Sequence, residues 1–257
     1  MIVKHIAIAL LFLLMPTIAS AQTELRVFAA GAVTPTVKEV VDGFTRTSGT
    51  KVIITSDTAG GLQKRVMSGE AGDVIFVTAP VMEALQKENR IAAGTRVDLG
   101  RALIGLAVRA GAPSPDISTV DAFKAALLRA KSVSYVNPAA GGTSGVHMEK
   151  QLQALGIADQ LKGKIVYRTQ GSLVADAVAT GAAELGITFT SELQPNPGVK
   201  VVGTIPAAIQ LPTIYTAAII GGSTNVEAAR AFLKVLASAE GAAVLKRAGL
   251  EPLAAAR

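Results

Sequence analysis

Cysteine and tryptophan are absent from this 257-residue chain, histidine occurs twice, and aromatic side chains make up only 4% of it. Without cysteine there are no disulfides, no thiolate metal sites and no sulfur nucleophile, so stability rests on packing. The two imidazoles, His5 and His147, exclude a multi-histidine zinc site. No metal and no cofactor are expected. The net charge is +6, yet the lysines and arginines form no basic run and the few aromatics no stacking platform, so nucleic acid is not expected as a partner. A small anionic ligand fits a basic exported protein better. No loop ends in the Gly-Lys-Ser/Thr of a P-loop, none has the full G-x-G-x-x-G spacing, and there is no G-x-S-x-G elbow. Nucleotide and ester chemistry therefore have no support.

What the chain does have begins at its N-terminus. Lys4, the apolar run Ile6 to Met15 and the small residues Ala19 and Ala21 have the pattern of a secretory signal peptide cleaved after Ala21. Pro16, Thr17 and Ser20 cut the run short of a membrane span, and no later run is long enough. The mature protein is expected in the periplasm, as a monomer.

Apolar runs and helical periodicity alternate along the rest. Strands are read at 25–30, 51–55 and 73–78, each followed by a helix, at 35–44, 62–68 and 80–88. A second series follows, with strands at 102–109, 132–136, 165–167 and 185–189 and helices at 120–130, 144–155 and 172–180. Strands at 199–202 and 214–220 and a helix at 226–245 close the chain. The order predicts an α/β protein of two lobes, each a mostly parallel sheet flanked by helices. Residues 22–101 and 210–257 are assigned to lobe 1 and 102–209 to lobe 2.

In such sheets ligands bind outside the carboxyl ends of the strands, at helix N-termini with free N–H groups. Four segments have that placement: 29–34, 56–61, 137–145 and 169–172. They make Gly31, Ala32, Thr34, Thr58, Ala59, Gly60, Gly61, Thr143, Ser144, Gly171 and Ser172 candidate ligand residues. All are small or hydroxyl-bearing, so backbone amides can approach a ligand unobstructed.

The segments 25–32, 57–74 and 185–191 and the helix 228–249 resemble the periplasmic molybdate-binding proteins of ABC importers over essentially the whole mature chain. The resemblance implies the two-lobe periplasmic binding protein fold of type II, hinged between lobes over an oxyanion, and an ABC permease as partner. It also implies a serine donor in each of the first two loops and a tyrosine after the Gly-Ile strand. Those places are Ala32, Ala59 and Phe189 here. Three missing donors, each worth about 1.5 to 3 kcal/mol to a charged group, disfavour molybdate and favour a di- or tricarboxylate. The loop pattern further resembles the aconitate isomerase branch of the fold, which implies a cofactor-free allylic proton shift. For that chemistry Lys64, Arg65 and Arg168 are candidate carboxylate clamps and His147 or Glu149 the candidate base. Binding without turnover and isomerisation both remain open at this point.

Overall fold

The computed structural model describes residues 23–253, so the signal segment at 1–21 lies outside the described residues. The chain enters through β1 (Glu24–Ala30), α1 (Thr34–Ser48), β2 (Lys51–Asp57), α2 (Ala59–Met67), β3 (Val74–Thr78) and α3 (Ala79–Lys87). It crosses over through β4 (Val97–Ala102) and β5 (Ile104–Arg109). The second unit runs α4 (Val120–Arg129), β6 (Val133–Val136), α5 (Thr143–Ala154), α6 (Ala158–Leu161), β7 (Ile165–Arg168), α7 (Gly171–Ala179), β8 (Leu185–Phe189), α8 (Thr190–Leu193) and β9 (Val199–Thr204). The return is β10 (Thr213–Ile219), followed by α9 (Val226–Leu236), α10 (Ala239–Arg247) and β11 (Glu251–Pro252).

Two sheets result, ordered β11-β4-β10-β3-β1-β2 and β7-β6-β8-β5-β9. Both are mixed rather than mostly parallel. β1 pairs parallel with β2 and β3, and β6 with β7 and β8, but β10 runs antiparallel to β3 and β4, and β5 antiparallel to β8 and β9. The antiparallel strands are those flanking the two crossings, where the chain turns from one sheet into the other instead of looping back over a helix. Every residue of β3 and β8 is buried, the mark of central strands covered on both faces. Phe232 of α9 packs edge-on against Phe44 of α1 and Phe76 of β3, at ring separations of 5.1 and 6.2 Å, and joins the C-terminal helices to the first sheet.

The strand read at 102–109 is two strands in different sheets, parted at Leu103, and the helix read at 226–245 is broken by Ser238, whose side chain caps α10 through the Gly241 N–H. The crossings are stitched by one side chain. Gln210 accepts from the Ile104 N–H at 3.0 Å and donates to the Ile104 carbonyl at 2.9 Å.

Candidate functional site

The loops that follow β1, β2, β6 and β7 all converge on one gap between the sheets, because each strand ends there and hands over to a helix. Ala32, Thr58, Ala59, Thr143, Ser144 and Gly171 line a cavity of about 20 Å³, closed at one side by Phe189. That space holds little more than a water molecule. The lobes are in contact across it. Thr58 donates its hydroxyl to the Ala140 carbonyl at 2.5 Å, the Gly60 N–H reaches the Gly141 carbonyl at 3.2 Å, and Gln170 Nε2 reaches the Ser56 carbonyl at 3.5 Å. A Cβ on Gly60 would meet the Gly141 backbone at 3.0 Å and one on Gly141 the Gly60 backbone at 3.1 Å, so this approach favours glycine on both sides.

The other candidate ligand residues sit nearby in different roles. Gly31 borders both this cavity and a larger chamber beside it, whereas Thr34 and Ser172 line the chamber alone. Gly61 lies under the Asp57 carboxylate and donates its N–H to Thr58 Oγ1, as the cap of α2. None of the proposed clamps or bases lines the cavity. Arg65 is held by Asp57 at 3.1 Å and Glu70 at 3.0 Å, and Lys64 is exposed on the same helix. Arg168 turns back to the Tyr167 carbonyl. His147 Nε2 lies 2.7 Å from the Ile209 carbonyl, which ties α5 to the returning crossing, and Glu149 accepts from Tyr135 at 2.6 Å.

Glu192 is the first of two site residues that carry no signal in the sequence. α8 follows β8 directly, and its N-terminus is fixed at the crossing by the Thr190 N–H on the Leu103 carbonyl, 2.9 Å. That placement swings the Glu192 side chain between Gly31 of one lobe and Gly171 of the other, where a Cβ on either would overlap the carboxyl. Burial pushes the carboxyl up from the ordinary 4.5 to about 7, against the hydrogen bonds from Thr188 and the Phe189 backbone that favour its charged form. Thr188 Oγ1 donates to Glu192 Oε2 at 2.5 Å and lies 3.2 Å from Ser144 Oγ, so a chain of hydroxyls connects the start of α5 to the acid. Ser144 and Thr188 are fully enclosed.

Tyr215, on β10, is the second such residue. Its buried ring stacks edge-on with Phe189 at 5.8 Å and borders the cavity. Burial and the nearby Glu192 raise its hydroxyl well above the ordinary 10, so it stays a neutral donor. Asp57, the remaining acid on the cavity wall, is engaged by the Thr58 N–H at 2.7 Å and by Arg65. Glu192 is thus an acid on that wall that burial moves towards neutral pH.

Comparison with known proteins shows the family of the chain. The chain is 35% identical to an aconitate isomerase of a Pseudomonas species over 241 residues, 91% of this chain and 89% of that one. It is 25% identical to the molybdate-binding protein ModA of Escherichia coli strain K12 over 88% of each chain. Among solved structures, the periplasmic molybdate-binding protein of Azotobacter vinelandii superimposes with a TM-score of 0.73 at 20% identity, over 88% of this chain and 98% of that one. The model of the bacterial extracellular solute-binding proteins matches residues 25–251, and the chain belongs to that family.

Proposed function

We propose that this protein binds a small unsaturated polycarboxylate between its lobes and catalyses an allylic proton shift of the kind that interconverts trans- and cis-aconitate. The observation that carries the reading is Glu192, an acid poised near pH 7 at the point where the four helix N-termini meet. A base of that acidity is matched to proton transfer at neutral pH. In the reaction Glu192 takes a proton from the methylene carbon beside one carboxylate. The electron pair moves into the allylic system, the double bond shifts by one carbon, and a proton returns to the carbon at its far end. Nothing is oxidised or reduced. The charge that builds on the carboxylate meets the Ala59 N–H of α2 and the first N–H groups of α5 and α7, which lack helical acceptors, and the Tyr215 hydroxyl.

A carboxylate suits the site better than molybdate because Ala32, Ala59 and Phe189 offer no side-chain hydroxyl to a tetrahedral oxyanion. On this reading the mature protein is exported to the periplasm and acts as a monomer, and lobes 22–101 with 210–257, and 102–209, are the units that part to admit ligand. The family architecture favours a second reading, a carboxylate receptor that delivers its ligand unchanged to an ABC permease.

The test is incubation of the purified mature protein with trans-aconitate, followed by chromatography, with thermal shifts in citrate and molybdate run alongside. Appearance of the cis isomer, with stabilisation by tricarboxylate, is expected. Stabilisation without turnover would leave the receptor reading. Strong stabilisation by molybdate and none by di- or tricarboxylates would overturn the carboxylate assignment altogether.

A further inference from the structure

Glu192 stands on a wall shared by two spaces. On one side is the inner cavity of about 20 Å³, and on the other an open chamber of about 540 Å³ that shares Gly31, Gln170 and Glu192 with it. The chamber is built from both lobes. Thr34 and Lys38, one helical turn apart on the same face of α1, line one side, and Ser172 and Asp176 of α7 line the other. Lys38 is the single cation on the walls of either space, and it makes no ion pair or hydrogen bond with any described residue. The Ser172 hydroxyl is likewise exposed and unpaired. Asp176, in contrast, is engaged by Asn196 Nδ2 at 2.8 Å.

Two constraints follow. A six-carbon tricarboxylate is several times larger than the inner cavity, so a molecule reacting beside Glu192 must extend into the neighbouring space. A trianion also needs more than neutral donors when it leaves water, and the inner wall supplies no positive side chain. We infer that the chamber is the outer half of the ligand site: it takes a terminal carboxylate of a polycarboxylate whose reacting carbon lies at Glu192, with Lys38 as counter-ion and Ser172 as hydrogen-bond donor. The lysine's long flexible stem lets its ammonium follow the carboxylate as the lobes move. A compact oxyanion confined to the inner cavity gains nothing from Lys38, so the chamber selects extended polycarboxylates over small tetrahedral anions.

The inference rests on the carboxylate reading above, and the experiment separates the two. Binding of trans-aconitate and of the monocarboxylate crotonate is measured by calorimetry, with trans-aconitate kinetics, for the wild type, Lys38→Met and Lys38→Arg. Lys38 is exposed on the helix surface, so its variants are expected to melt with the wild type. Lys38→Met should weaken trans-aconitate about tenfold, the worth of one charge-assisted contact, and raise KM with little change in kcat. Crotonate binding should stay as it was, and Lys38→Arg should recover most of the loss. If the wild type binds and converts trans-aconitate and Lys38→Met does so with unchanged affinity and KM, the chamber is not part of the site, although the isomerase reading stands. If the wild type binds no carboxylate, both fall together.

Discussion

At the scale of single residues, Glu192 concentrates the consequences. Its folded carboxyl keeps a proton up to about pH 7, whereas in the unfolded chain it loses it near the ordinary 4.5. Between those values the folded state binds more protons than the unfolded one, so stability falls as pH rises through that window and is level outside it. The loss attributable to this group is on the order of 2 kcal/mol, because the carboxyl borders the open chamber on one side and is not wholly cut off from solvent. Glu192→Gln keeps a neutral side chain of the same shape at every pH. Thermal melts from about pH 5 to 8 should therefore show a decline in the wild type that the glutamine variant lacks, with the variant the more stable above pH 7. Parallel profiles for the two proteins would mean that the acid is ordinary. Tyr215 and Thr188 act on the same carboxyl from two sides, the tyrosine as a neutral neighbour and the threonine as donor to its charged form.

At the scale of elements, the helix starts and the short α8 divide the work. Gly171 begins α7 and leaves room for the Glu192 carboxyl, and the atoms that an added methyl would meet are the mobile end of that side chain, not backbone. Gly171→Ala should therefore fold with a melting temperature within a few degrees of the wild type, yet lose turnover by at least about tenfold as the acid is pushed aside. Retained turnover would show that the acid does not work from this position. Gly145 is the structural counterpart: a methyl there would strike the Val136 carbonyl, which is backbone and cannot yield. Much of this frame was readable from the chain. Alternating apolar runs and glycine-bearing loops placed the strands and the four helix starts, because apolar runs and the small-residue turns after them are local in sequence. α8 escaped because four residues carry no periodicity, and Glu192 with it, since Thr190 to Leu193 read as a loop after a strand. Tyr215 escaped for another reason. It sits in an apolar run, and only the antiparallel return of β10 beside β3 carries it to the cleft. Arg65 and His147 looked chemical in sequence because of their type, whereas tertiary contacts with Asp57, Glu70 and Ile209 engage them in holding the fold.

At the scale of the whole molecule, two mixed sheets are joined by a pair of crossings, and their strand ends face each other across a nearly closed gap. The contacts between Thr58 and Ala140 and between Gly60 and Gly141 shut the cradle on the side of α2 and α5, while the chamber between α1 and α7 stays open to solvent. An acid on the wall between a closed cavity and an open one is placed to hold a proton at a shielded carbon and still reach bulk water. On the proposed reading, the architecture of the molybdate-binding relatives carries here one carboxyl between two glycines that can move a proton. The most direct measurement is the initial rate of trans-to-cis aconitate conversion across pH 5 to 9 for the wild type and Glu192→Gln, with ligand binding followed on the same samples. The wild-type kcat/KM is expected to rise to a plateau through an inflection near pH 7, and the glutamine variant to bind the ligand but turn it over at least about a hundredfold more slowly. Conversion by Glu192→Gln at the wild-type rate would contradict this expectation.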